Sequence, residues 1–143
     1  MVTRKSARIA VMVESHRGQK MDPHYAGYFH CFNHQLFYEA HDVLEHLWLG
    51  DKYGTNGAFY KGLIQLAGAF VHLQKNRLRP AAALFKLART NLEKYPPQHH
   101  QLDLKRVHVL IEHWLAELET HNFELNPLNA KNAPRLTLES LPE

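Results

Sequence analysis

The sequence has few of the features that mark secreted, disulfide-bonded or membrane-spanning proteins. Cys31 is the only cysteine, which excludes an internal disulfide and any metal site built from several thiolates. No apolar run approaches the roughly 18 residues that a transmembrane helix needs. The charged start also lacks the apolar stretch and small-residue cleavage site of a signal peptide. We therefore expect a cytoplasmic protein that does not span a membrane.

Short catalytic motifs are also missing. The chain contains no P-loop, no dinucleotide fingerprint, no G-x-S-x-G nucleophile elbow and no EF-hand loop. The sequence thus identifies no substrate, reaction or cofactor, assigns no catalytic residue, and leaves open whether the protein is an enzyme.

The net charge of +3 is unevenly distributed along the chain. Residues 1–20 contain five basic side chains and one acidic side chain, whereas the other residues carry 12 basic and 13 acidic groups. A nucleic-acid-binding protein needs a clustered basic face, which a nearly neutral body does not supply. We therefore do not expect nucleic acid to be the partner, although weak phosphate or nucleic-acid binding through the basic start remains an alternative.

Apolar residues at helical spacing indicate four long helices in 143 residues, a length typical of one domain. The predicted helices are Asn33–Trp48, with Asn33 as N-cap, then Ala58–Gln74, Pro80–Lys94 and Leu102–His121. A further helical period begins after Asp22-Pro23.

This pattern predicts an all-α fold, a compact bundle of four to five mostly antiparallel helices with extended N- and C-terminal arms. We divide the chain into a basic N-terminal arm (1–24), a helical domain (25–122) and an extended C-terminal tail (123–143).

The first predicted helix places a histidine on the face expected to point into the core. At about 100° per residue, His41 shares a stripe with Phe37, Ala40 and Leu44. Glu45 lies on the shoulder of the stripe, and Asp42 is expected to point away from it.

The second predicted helix is apolar on most sides, but one narrow face carries small and polar residues. Such a face lets another helix approach closely, so we expect a partner helix to pack there. Its members are Ala58, Gly62, Gln65, Ala69 and His72.

Two patterns in these helices together resemble the family called domain of unknown function 309. The first is the run Phe37 to Glu45 followed by Leu47 and Trp48, and the second is the run Gly62 to Ala67 followed by Ala69 and His72. The similarity extends from about Tyr28 to Tyr95. It implies an all-helical fold, found in bacterial and archaeal proteins, and attaches no activity to it.

We predict an inter-helix polar cluster as the candidate binding site. If the two helices cross near their middles, side chains of both can meet there. The members of the cluster are Glu39, His41, Glu45, Trp48, Gln65 and His72.

The cluster has two interpretations with different chemistry. A histidine that lies in a core recruits hydrogen-bonding partners, so the cluster can serve only to hold two helices in register. Alternatively, His41, Glu45 and His72 provide two imidazoles and a carboxylate, which suit zinc or iron, or a general acid or base without metal.

For function, we predict a binding or structural module that acts through association with another protein or with itself as a homo-oligomer. The partner protein is not identified by the sequence. The alternative is a metal-binding protein or metal-dependent hydrolase that uses the histidine and glutamate residues of the cluster.

Overall fold

The computed structural model describes residues 9–10 and 21–139, and within the second range the chain forms five helices and one short hairpin. The helices are α1 (Pro23–Asn33), α2 (Phe37–Asp51), α3 (Gly57–Gln74), α4 (Leu78–Leu92) and α5 (Leu104–Thr120). Strands β1 (Gln98–His99) and β2 (Leu102–Asp103) form the hairpin between α4 and α5. The predicted all-α bundle is confirmed. No described helix combines the length and apolar character needed to cross a bilayer.

Local chemistry explains where several elements begin. The Asp22 side chain accepts a hydrogen bond from the His24 backbone N–H at 2.8 Å, and Pro23 occupies the first turn of α1. At the start of α5, Asp103 accepts from the Arg106 N–H at 3.2 Å. Both residues satisfy backbone donors that a helix leaves unpaired at its start.

The predicted start of the first long helix is wrong. Asn33 does not cap a helix that follows it. It is the last residue of α1, and α2 begins at Phe37. The Asn33 side chain instead makes two hydrogen bonds to the Leu136 backbone, donating from Nδ2 to the carbonyl at 2.8 Å and accepting at Oδ1 from the N–H at 2.7 Å. Its amide is therefore used in a long-range contact rather than in a cap.

Helix α3 lies at the centre of the bundle and packs extensively against α2 and α4, while α1 packs against α2. The Phe70 side chain is fully buried and touches aromatic rings on all four other helices. Its ring centroid lies 5.6 Å from Phe32 of α1, 5.1 Å from Phe37 of α2, 5.1 Å from Phe85 of α4 and 5.2 Å from Trp114 of α5. One aromatic core therefore joins all five helices.

The C-terminal segment, residues 121–139, contains no helix or strand and crosses the surface of the bundle. Asn126 Nδ2 donates to the Leu73 carbonyl at 2.6 Å near the end of α3. Further along, the Leu136 side chain is only 4% exposed, and the Glu139 N–H donates to the Gln101 carbonyl at 2.8 Å. The predicted extended tail is thus attached to the bundle at several points.

The predicted N-terminal arm lies mostly outside the described residues. Residues 1–8 and 11–20, which include all five of its basic side chains, are among those not described. Within the arm, residues 9–10 are helical and Ile9 packs against the core.

Candidate functional site

A cleft of about 320 Å³ lies over the exposed side of α3, between α2 and α4. Most of its floor comes from α3, while α2 and α4 contribute to its walls. The lining residues are Tyr38 and His41 from α2, Leu84 from α4, and Lys61, Ile64, Gln65, Gly68, Val71, His72 and Lys75 from α3 and the residue after it.

The cleft follows one stripe of α3 rather than converging on a point. Residues 61, 65, 68, 72 and 75 recur at alternating steps of four and three, so they share one face of the helix. At 1.5 Å per residue, Lys61 and Lys75 are about 21 Å apart along the axis. The cleft is therefore an elongated groove with a lysine at each end.

Two glycines of α3 lie against α4, and the packing is closer at Gly62 than at Gly68. A Cβ added at Gly62 would meet Leu92 Cγ at 2.8 Å and Asn91 Cβ at 3.2 Å, because α4 packs closely there. A Cβ added at Gly68 would meet a single packed atom, Leu84 Cδ1, at 3.1 Å. The expected close packing of a partner helix is found at Gly62, and that helix is α4.

Gln65 joins α3 to α4 at the border of the packed region. Its Oε1 accepts a hydrogen bond from Asn91 Nδ2 at 2.7 Å. This amide pair links Gln65 to α4 and not to the histidine of α2 with which the predicted cluster groups it.

The position predicted for His41 is wrong, because its side chain is 34% exposed and lines the groove instead of the core. The buried residues of α2 nearby are Ala40, Val43 and Leu44. At 100° per residue, the centre of that buried stripe lies roughly 100° away from His41. The histidine therefore stands at the edge of the apolar face.

Two carboxylates lie beside the His41 ring. Its Nδ1 is 3.0 Å from Asp42 Oδ1, within hydrogen-bonding distance, and 3.9 Å from Glu45 Oε2. The contact with Glu45 follows from the predicted i, i+4 spacing. The contact with Asp42 does not follow from this spacing, because Asp42 is the next residue in the sequence, and its half-buried side chain lies beside the ring.

These three residues form a group that could hold a cation. One ligand atom from each of His41, Asp42 and Glu45 lies within 4.8 Å of the other two, and all three side chains are half-buried. His72 lines the same groove as His41 but is not a member of this group. The residues fit a three-ligand site for a divalent metal such as zinc, with coordination positions left for water.

His72 has the most unusual environment in the groove. Its Nδ1 is buried and has no hydrogen-bond partner among residues 21–139. The pKa of His72 lies below its usual value, mainly because burial disfavours the imidazolium, and then because of the positive charges of Arg77 and Lys75. The ring is therefore held neutral in a locally positive end of the groove.

The lysines at the groove ends lie against aromatic rings of α2. Lys61 Nζ is 4.4 Å from the centroid of the Trp48 ring, and Lys75 Nζ is 5.9 Å from that of Tyr38. Both distances fall within the range of cation–π contacts. The predicted cluster does not include Tyr38, Lys61 or Lys75, although the helical spacing of residues 61, 65, 68, 72 and 75 is visible in the sequence.

Of the six predicted site residues, three line the groove: His41, Gln65 and His72. The other three are half-buried and lie outside its lining: Glu39, Glu45 and Trp48.

Comparison with known proteins gives one match. A family model described as "Domain of unknown function (DUF309)" matches residues 25–84, a range that includes every residue lining the groove. No curated protein and no solved structure matches the chain.

Proposed function

Residues 25–84 belong to the family of domain of unknown function 309, whose description assigns no activity. From the geometry of the groove, we propose that the protein is a binding module whose groove holds a segment of a polypeptide. The observation that carries this proposal is the elongated, open groove along α3.

The shape of the groove favours a polypeptide over a compact small molecule. Small-molecule sites usually enclose most of their ligand in a cavity of about 300–1,000 Å³ with polar groups that converge on it. Here the volume of about 320 Å³ is spread along the helix, and the two lysines stand at opposite ends. A chain segment can contact both ends at once, whereas a small ligand of this volume cannot.

The floor of the groove is suited to apolar side chains. Ile64 is buried, Val71 and Leu84 are half-buried, and Gly68 has no side chain. Docking of a segment would remove the remaining apolar surface from water, at about 25 cal/mol per Å². Grooves that bind helical polypeptides are stabilised by the same burial of apolar side chains.

Site-specific photo-crosslinking tests this proposal in cells that produce the protein naturally. A photoreactive amino acid at Val71 lies in the groove, and the matched control replaces Val109, which is 70% exposed on α5. We expect a polypeptide adduct from position 71 and none of the same mass from position 109. An adduct with the mass of a second copy means self-association, and one with another protein means a heterologous partner. No adduct specific to position 71 contradicts the proposal.

A second candidate function is a metal-binding protein or metal-dependent hydrolase. It is favoured by the ligand atoms of His41, Asp42 and Glu45, which lie within 4.8 Å of one another beside the groove. The His41 Nδ1 and two carboxylate oxygens would be the ligands, and a bound divalent metal would supply a polarised water.

Metal titration separates this candidate from the first. We expect zinc or manganese to raise the melting temperature of the untagged protein, because a ligand that binds only the folded state stabilises it. His41→Ala should abolish the rise, whereas His46→Ala, an exposed histidine of the same helix, should preserve it. An unchanged melting temperature, with no metal found by elemental analysis, rules the candidate out.

A further inference from the structure

We propose that the occupant of the groove is an amphipathic helix of a partner protein that carries acidic side chains near both ends. This inference rests on the proposed binding function and specifies the chemistry of the partner. It follows from the charges at the groove ends, the apolar floor between them and the helical backbone of the lining.

The positive charges at the groove ends favour carboxylates on the bound segment. Neither Lys61 nor Lys75 forms an ion pair with another residue of the described part of the chain. The Lys61 ammonium group lies over Trp48, just outside the lining, and the Lys75 ammonium group lies over Tyr38, which lines the groove. Two cations placed in this way attract an acidic side chain at each end of a bound segment.

The middle of the groove favours apolar side chains instead. Ile64, Gly68 and Val71 form the floor there, with Leu84 at one side. On the α2 side, the Glu45 carboxylate lies 3.9 Å from His41, which lines the groove. It would repel a carboxylate at the centre of the bound segment, so the acidic residues belong at the ends of that segment.

The backbone of the lining favours a helix over an extended strand. All lining residues except Lys75 lie within helices, whose backbone groups are paired internally. An extended segment would lay its own N–H and C=O groups on an apolar floor without partners, which costs free energy. A helix satisfies these groups itself, and about 14 residues of helix span the roughly 21 Å between the lysines.

Gly68 contributes no side chain to the centre of the floor. Leu84 Cδ1 lies 3.1 Å from the position that a Cβ would take, so the floor there consists of the α3 backbone and the Leu84 side chain. The docked helix would then rest on α3 between α2 and α4.

Two synthetic helical peptides of 16 residues test the inference with the full chain. Both carry the same leucine and alanine stripe, and one has glutamates near both ends where the other has lysines. Binding is measured by calorimetry and by Trp fluorescence. Because the lysines at the groove ends attract glutamates and repel lysines, we expect the acidic peptide to bind about tenfold more tightly than the basic one, a difference of about 1.4 kcal/mol.

Charge reversal supplies the matched control. Lys61→Glu with Lys75→Glu should remove the preference for the acidic peptide, and added salt should weaken it in the unaltered protein. Lys86→Glu with Lys105→Glu changes the net charge equally at exposed positions outside the groove and should leave the preference intact.

Equal affinity for both peptides, no binding of either, or an equal effect of the two double variants overturns the inference. If the peptides fail while position 71 still forms a specific polypeptide adduct in cells, the binding function stands and only the acidic helix is wrong. If both experiments fail, both proposals fail.

Discussion

His41 and Asp42 are neighbours in the sequence, and their contact sets the chemistry at the side of the groove. The Asp42 carboxylate lies 3.0 Å from His41 Nδ1 and orients the ring. Helical spacing predicts the nearby Glu45, because residues four apart share a face. It does not predict Asp42, because consecutive residues point about 100° apart and only the side-chain rotamers bring them together.

Gly62 and Gly68 offer a matched pair of substitutions on one helix. Gly62→Ala should lower the free energy of unfolding by about 1–3 kcal/mol, because the new Cβ would overlap the buried Leu92 side chain. Gly68→Ala should raise it by about 0.5–1 kcal/mol, since alanine is the better helix former and the half-buried Leu84 can shift. Urea unfolding followed by circular dichroism measures both. Equal effects of the two variants would contradict the packing described at Gly62.

The lowered pKa values of His72 and His99 predict how stability depends on pH. Burial lowers the pKa of His72 and of His99, with the charges of Arg77 and Lys75 adding to the effect at His72 and His100 at His99. The unfolded chain, in which a histidine has a pKa of about 6.5, therefore binds more protons than the folded chain below that pH. The stabilisation is present above pH 6.5 and is lost as the pH falls.

We accordingly expect the free energy of unfolding to decrease between pH 7.5 and pH 5.5, by urea unfolding at each pH. The double variant His72→Gln with His99→Gln should show a shallower decrease, whereas His113→Gln, at an exposed position, should follow the original protein. An unchanged slope in the double variant would show that these two groups do not account for the decrease.

At the scale of elements, the spacing of apolar residues predicts the long helices, but it does not predict where α2 begins. Observed α3, Gly57–Gln74, matches the predicted Ala58–Gln74 closely, because its apolar residues define the helix over its whole length. The start of α2 is predicted too early in the chain, since Asn33 has the local chemistry of an N-cap but bonds to Leu136, 103 positions away. No local pattern contains that partner. The groove was missed because it depends on how α2 and α4 pack beside α3.

Asn33→Ala should detach part of the C-terminal segment. The substitution removes both hydrogen bonds to the Leu136 backbone, and we expect a loss of about 1–3 kcal/mol in the free energy of unfolding. Limited proteolysis should show faster cleavage within residues 123–139. Asn132→Ala provides the control, because that side chain bonds only to other residues of the segment. If both variants are cleaved by the protease at the same rate, contacts other than those of Asn33 hold the C-terminal segment on the bundle.

At the scale of the whole molecule, one residue of α3 contacts each of the other four helices that lie within residues 21–139. The Phe70 ring contacts aromatic side chains from α1, α2, α4 and α5, so none of these helices has a core that is independent of α3. A shared core of this kind favours a single cooperative unfolding transition.

Phe70→Ala should lower the free energy of unfolding by about 3–5 kcal/mol, a large part of the 5–15 kcal/mol typical of a domain. Far-ultraviolet circular dichroism and tryptophan fluorescence should still report one common midpoint in urea. Tyr53→Ala, at a position that is 93% exposed, should change stability by less than about 0.5 kcal/mol. Separate midpoints for the two probes would mean that the helices do not form one unit.

The hydrogen bonds between Asn33 and Leu136 also suggest an order of events during synthesis of the chain. They close a loop across 103 positions, whereas α1 to α4 pack mainly against their neighbours in sequence. Contacts between nearby helices form with little loss of chain entropy, and distant closures follow later. Residues 25–84 leave the ribosome well before Leu136 does. The groove can therefore take shape on the nascent chain, and attachment of the C-terminal segment becomes the last step of folding.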